Sequence, residues 1–172
     1  MFVKDNLDSD VKIIDFGVAA IHEPDSPPMT ALVGSLRTVA PEVIKRSYDR
    51  ACDLWSVGVV TFFLLTRQMP FDGHDQGEIF ERIGDGEYEF PAWATGGVSA
   101  TAKHFIDCLL QVDTTRRMPA AITQRHPWLK GQLFHPEVEP PKEGTTVRAR
   151  RPRRRRALLP SGENGRYFSD DM

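Results

Sequence analysis

From Asp53 the chain runs Leu54-Trp55-Ser56-Val57-Gly58-Val59-Val60-Thr61-Phe62-Phe63-Leu64-Leu65, with large apolar residues on every face of a helical wheel. A helix apolar all round is a buried one, and this run is too short to cross a bilayer. It predicts a central helical post, with Asp53 as a carboxylate entering the core at its start. That charge must be paired or hydrogen-bonded, because unpaired burial is costly. Ala102, Phe105, Ile106, Leu109 and Leu110 follow the i, i+3, i+4, i+7, i+8 spacing of an amphipathic helix, with Ser99 placed to cap it. Ile79, Phe80 and Ile83 form a shorter apolar face, and Gly84-Asp85-Gly86 and Gly96-Gly97 mark turns between the two. A last helical stretch over residues 120–125 runs into His126-Pro127-Trp128-Leu129, where Pro127 helps to stop it.

Upstream of these helices the pattern changes. Val11-Lys12-Ile13-Ile14 is a β-branched run of alternating polarity that reads as a short strand turning into a loop at Asp15-Phe16-Gly17. Residues 18–41 lack periodicity and contain Pro24, Pro27 and Pro28. A connection of that length without regular structure is uncommon in a compact domain unless it is functional. The pattern as a whole predicts a mainly α domain with almost no sheet, and no internal repeat.

Charge divides the chain in two. Residues 1–136 hold 13 Lys and Arg against 18 Asp and Glu, whereas residues 137–172 hold 9 against 6, with seven arginines in residues 148–156. The formal net charge of −2 averages these unlike parts and excludes a global basic field for nucleic acid. Residues 131–172 read as a disordered Pro- and Arg-rich tail that buries too little apolar surface to offset the entropy of ordering. Cys52 and Cys108 stand alone, without a C-x-x-C pair, and read as small buried hydrophobes in a reducing compartment. The five histidines are too scattered to suggest a metal site. No signal-peptide or membrane-spanning run occurs, which makes the cytoplasm or nucleus the expected address.

Five short motifs then appear in one order: Asp15-Phe16-Gly17, Val39-Ala40-Pro41-Glu42, Asp53-x-Trp55-Ser56-x-Gly58, the stretch from Asp113 to Arg117, and His126-Pro127-Trp128-Leu129. In that order and spacing the chain resembles the C-terminal, helical lobe of a eukaryotic Ser/Thr protein kinase. Ser47-Tyr48-Asp49-Arg50, Met69-Pro70-Phe71 and Gly86-Glu87-Tyr88-Glu89-Phe90-Pro91 make it most similar to the calcium/calmodulin-dependent and calcium-dependent kinases. The resemblance implies a partial kinase domain over residues 1–130, with an activation segment at 15–42 and the helical lobe at 43–130.

Residue by residue, the resemblance implies that Asp15 holds Mg²⁺ against the phosphates of ATP, with Phe16 and Gly17 completing that cofactor-binding turn. Gly34 and Ser35 match the start of the substrate-docking loop, where Arg37 stands in place of the usual aromatic and changes the pocket wall facing the substrate. Glu42 and Arg117 match the buried ion pair that fastens the activation segment. Asp53 matches a helix-start carboxylate receiving backbone N–H groups of the catalytic loop, and Trp55 belongs to the same motif. Thr30, and to a lesser degree Ser26, are candidate phosphorylation switches for a regulatory kinase.

The sequence carries no Gly-rich loop, no ATP-binding Lys and no His-Arg-Asp loop to supply the catalytic base. The resemblance therefore implies an absent N-terminal lobe and a chain that transfers no phosphate alone, although the complete domain would use ATP, Mg²⁺ and protein substrates. Two other functions fit the residues. One is a non-catalytic module docking protein partners through residues 34–42 and the helices after residue 75. The other is a polyanion or nuclear-import role for the arginines of residues 148–156.

Overall fold

Helix α2 (Cys52–Thr66) organises the domain. The computed structural model describes residues 12–131, and the expected tail beyond Gly131, together with Val11 of the expected strand, lies outside the described residues. Among the described residues the elements are α1 (Pro41–Ile44), α2, α3 (Gln76–Asp85), α4 (Ala94–Gly97), α5 (Ala100–Leu109), α6 (Ala120–Thr123) and a closing 3-10 turn (Pro127–Lys130). The helical reading of the chain holds throughout this region. Lys12–Ile14 of the expected strand are exposed and form no strand. A strand exists only through a ladder of backbone bonds to a neighbour, and no strand is formed among the described residues. The β pairing that does occur is one isolated antiparallel bridge between Met29 and Tyr48.

Helix α2 buries Trp55, Gly58, Val59, Phe62 and Thr66 along one stripe. It stops where Arg67 adopts a left-handed φ of 55° and sends its N–H back to the Phe63 carbonyl, the closing bond of an αL cap. The opposite side of α2 corrects the expectation of burial all round. Val57 (44 %), Val60 (42 %) and Leu64 (71 %) remain exposed.

Two further helices follow from local sequence. At α3, Asp75 accepts the Glu78 N–H while Glu78 accepts the His74 N–H, and these two bonds satisfy donors that a helix start leaves orphaned. At α5, Ser99 accepts the Ala102 N–H, and Ala102, Phe105, Ile106 and Leu109 are buried as their spacing predicts. Helices α2 and α5 meet at Gly58. A Cβ placed there would lie 2.9 Å from Leu110 Cδ2 and 3.0 Å from Leu109 Cβ, so the absent side chain is what lets α5 approach.

Aromatic rings fill the remaining space. Trp55 stacks on Phe71 with centroids 5.2 Å apart, and Phe62 meets Tyr88 edge-on and Phe90 at a tilt. Trp55, Phe62 and Phe71 are fully buried, and each contributes roughly 1.5–3 kcal/mol by leaving water. The core therefore sits between the inner face of α2, α3, α5 and the loop joining α3 to α4.

Candidate functional site

The segment from Asp15 to Glu42 lies against this helical core and is pinned at successive points. Asp15 itself holds a left-handed φ of 62°, a conformation that Asp tolerates better than most residues. Its Oδ1 accepts the Gly17 N–H at 3.2 Å, a local turn that leaves the carboxylate exposed. Phe16 is 69 % exposed.

Met29 and Tyr48 exchange backbone hydrogen bonds of 2.8 and 3.1 Å, and the Tyr48 hydroxyl donates to the Ala31 carbonyl. Thr30, between these two anchors, is exposed. Ser26 is half-buried and lines an open cleft of about 220 Å³ together with Glu42 and Asp49. A phosphate there would face two carboxylates, a poor setting for an ordering switch.

Gly34 has a φ of 117° with nothing within 4 Å of its missing Cβ, so backbone conformation and not crowding calls for glycine here. The next residues form a tight turn in which the Ser35 carbonyl accepts the N–H groups of both Thr38 and Val39. Ser56 of α2 donates to the Thr38 carbonyl at 2.9 Å, tying this loop to the central helix. Arg37 points outward and pairs with Asp72 at 2.9 Å, both partners largely exposed.

Val39, Ala40 and Pro41 then enter the core and deliver Glu42 to Arg117. The pair is bidentate, with Arg117 Nη1 2.5 Å from Glu42 Oε1 and Nη2 3.0 Å from Oε2. Only 1 % of the Arg117 side chain and 10 % of the Glu42 side chain is exposed. The guanidinium lies over the Trp55 ring at 5.3 Å. Among the described residues, the buried Trp55 Nε1 finds no acceptor. Beside the pair, burial pushes the Cys52 thiol up to about 12, with Asp53 and Glu42 adding repulsion.

Asp53 departs from expectation. It is exposed, and its Oδ1 lies 3.8 Å from the Cys52 thiol as its one described side-chain contact. It occupies the same outward side of α2 as Val57, Val60 and Leu64, so its carboxylate keeps its water and needs no buried partner. Asp15 and the Glu42–Arg117 pair thus mark the two ends of one anchored segment.

Three contributors escaped the sequence reading. Tyr48 and Ser56 stand inside quoted motifs, but their bonds to the segment 17 and 18 residues away follow only from the fold. Asp72, the partner of Arg37, lies 35 residues on and carries no local signal. No group of three His, Cys, Asp or Glu among the described residues is disposed to hold a metal ion, and no helix among them is long and apolar enough to cross a membrane.

Comparison with known proteins agrees with the motif order. A family profile described as protein kinase domain matches residues 1–129. The chain is 44% identical over 122 residues to myosin light chain kinase A of Dictyostelium discoideum, a match covering 70% of this chain and 41% of that protein. It is 38% identical over 133 residues to calcium/calmodulin-dependent serine/threonine-protein kinase 1 of Oryza sativa subsp. japonica, covering 76% and 22%. With the calcium/calmodulin-dependent protein kinase cmkA of Emericella nidulans the identity is 35% over 133 residues, covering 77% and 32%. The chain therefore spans between about a fifth and two fifths of the length of these relatives.

Proposed function

Because the chain belongs to the protein kinase domain family, we propose that it forms the activation segment and substrate-docking lobe of a Ser/Thr kinase that moves the γ-phosphate of ATP to protein hydroxyls. The observation that carries this reading is the anchored segment itself. It opens on the exposed carboxylate of Asp15 and closes on the buried pair of Glu42 and Arg117, with Ser56 and Tyr48 fastening the middle.

Asp15 suits Mg²⁺. The ion takes hard oxygen ligands and is commonly held by one or two carboxylates plus substrate phosphates and water, so one exposed carboxylate is a chemically apt contribution. When bound, the metal neutralises phosphate charge as the group transfers. The residues of this chain have other tasks: the Asp15 turn presents an oxygen, and residues 34–38 present a wall to the acceptor peptide. Arg37 adds a guanidinium to that wall, one already paired with Asp72.

Residues 1–172 alone do not transfer phosphate in this reading, since the sequence contains neither the Lys that pairs with ATP nor a catalytic base. Thr30, exposed between two anchors, is the site at which a regulatory kinase acts. The cytoplasm is the site of action, and the arginines of residues 148–156 add nuclear entry or loose polyanion contact.

A chimaera tests this. The part of the Dictyostelium relative that precedes its match is joined to residues 1–130, and transfer of labelled phosphate to a serine peptide is measured beside the unfused chain. The reading expects Mg²⁺-dependent transfer by the chimaera, none by the chain, and loss of transfer in Asp15→Asn. A cooperatively melting chimaera without activity, or activity in Asp15→Asn equal to the parent, would overturn it.

A further inference from the structure

We propose that the outward face of α2 is the contact surface of a symmetric homodimer, in which the α2 helices of two copies of this chain lie antiparallel about a two-fold axis close to Val60. The proposal is independent of the kinase reading and rests on the order of residues along one stripe of the helix.

Asp53, Val57, Val60, Leu64 and Arg67 follow one another at intervals of 4, 3, 4 and 3 residues, the spacing that keeps side chains on one side of a helix. All five are exposed. The stripe lies opposite the buried Trp55, Gly58, Val59, Phe62 and Thr66, so the core of its own domain does not cover it. Thr61, at its flank, donates its hydroxyl to the Val57 carbonyl at 2.7 Å and so satisfies its polar end within the helix. The middle of the stripe is apolar, and each end carries one charge. Asp53 stands in the first turn and Arg67 at the C-cap. Among the described residues, neither takes part in an ion pair.

This order is complementary to itself reversed. A two-fold interface demands that property, because wherever residue i meets j, residue j also meets i. With the axis at Val60, each Val60 meets its counterpart and Val57 lies beside Leu64 of the second copy. Asp53 then lies beside Arg67 of the second copy at both ends, which makes two ion pairs. From Asp53 to Arg67 the helix rises about 21 Å, so the pairs close the apolar contact on either side. A parallel arrangement sets Asp53 against Asp53, Arg67 against Arg67 and like ends of the helix dipoles together. The antiparallel one joins unlike ends, so charge selects the direction.

The size of the surface sets the strength. Val57, Val60, Phe63 and Leu64 are the exposed large apolar residues of α2, a smaller patch than the roughly 800 Å² per partner of a standard interface. The dimer is accordingly weak and exchanging, with a Kd of about 10–100 μM.

The test uses the full 172-residue chain. Sedimentation velocity across the micromolar range is expected to show a shift from monomer to dimer. Asp53→Arg and Arg67→Asp each turn two attractions into two repulsions, and each raises the Kd roughly 10-fold. An equimolar mixture of these two variants regains the wild-type association, since opposite charges then meet at both ends. Under mild oxidation Val60→Cys gives a disulfide-linked dimer, mapped by mass spectrometry to position 60. Val57→Cys does not, because its two copies stand about 9 Å apart along the helix axis. A chain that stays monomeric, a Kd indifferent to both charge reversals, a mixture that does not recover, or Val57→Cys linking as readily as Val60→Cys would each overturn the proposal. A monomeric Val60→Cys variant whose thiol resists alkylation assigns the stripe to another part of the same chain and overturns it as well. If a charge variant does not melt cooperatively, the concentration dependence of the wild type and the Val60→Cys cross-link decide alone.

Discussion

Arg117 gives Glu42 two of its five N–H groups, and the remaining three go to backbone carbonyls. Nη1 also donates to Ala51 at 2.9 Å, while Nε and Nη2 donate to Gln111 at 3.1 and 2.9 Å. A guanidinium has five donors in a fixed fork, and here each is satisfied in a site almost closed to water. One side chain thus ties together α1, the start of α2 and the loop after α5, segments up to 75 residues apart.

Breaking the pair is therefore expected to be far costlier than losing a surface ion pair. Glu42→Gln leaves a buried cation without its counter-charge, and Arg117→Lys cannot reproduce the fork. Each is expected to lower stability by about 3–5 kcal/mol, read from urea unfolding of the chain at pH 7. A loss below about 1 kcal/mol for both would mean that the pair is an ornament of the fold.

Gly58 supports a second packing prediction. Alanine would improve helix propensity by up to about 1 kcal/mol, yet its Cβ would sit 2.9–3.1 Å from three carbon atoms of Leu109 and Leu110. Overpacking of this kind costs about 1–3 kcal/mol, and the crowded atoms include Leu109 Cβ, which cannot swing aside. Gly58→Ala should therefore be net destabilising, whereas Gly84→Ala in α3, with nothing within 4 Å, should be neutral or stabilising. Thermal melts of the two variants decide it, and a stabilising Gly58→Ala would contradict the contact.

Much of this was legible in the sequence, and the failures have physical causes. The fifteen residues of α2 were found to within one residue at each end because a long apolar run has few other solutions. The inward face of α5 and its Ser99 cap were equally plain, since both are properties of neighbouring residues. Burial of α2 on all sides was misread because apolar composition states what a face prefers and not what covers it. Asp53 was misplaced for the same reason. The joining of His104 to His126 across 22 residues had no local signature, and Glu42 and Arg117 were paired on family resemblance and not on spacing.

Asp107 makes a pH prediction with a definite sign. Burial raises its carboxyl above the ordinary range, against the lowering effects of the Tyr88 hydroxyl, His104 and Lys103. The folded state therefore holds this proton more tightly than the unfolded one, and stability is lost as pH rises through the window from the ordinary value to the raised one. Asp107→Asn keeps an acceptor for Tyr88 without the charge. Its urea midpoint should exceed wild type at pH 7, with the advantage vanishing below the ordinary carboxylate range. An Asn variant that is weaker at pH 7 would show that the charged Tyr88 hydrogen bond outweighs desolvation.

Cys52 should be chemically quiet. With its thiol pushed up to about 12, first by burial and then by Asp53 and Glu42, its thiolate fraction at pH 8 is roughly 2,000-fold below that of an ordinary thiol near 8.5. Alkylation of the folded chain, mapped by mass spectrometry against the urea-unfolded chain, should be slower at Cys52 by at least about 100-fold. Labelling at comparable rates would mean that the α2 N-terminus opens readily.

The two sides of α2 make opposite predictions for the same kind of change. Phe62 is 1 % exposed among Tyr88 and Phe90, so Phe62→Ala should cost about 3–5 kcal/mol. Leu64, two residues on, is 71 % exposed. Leu64→Lys retains helix propensity and sets a cation in the last turn of the helix, where the dipole favours it. Its stability should change by no more than about 0.5 kcal/mol. Exposed next to Val57, Val60 and Phe63, Leu64 belongs to an apolar stripe of the kind that promotes association, so the lysine should reduce self-association in sedimentation velocity. If Leu64→Lys instead unfolds the chain, that face of α2 is covered in solution and its apolar pattern reports burial after all.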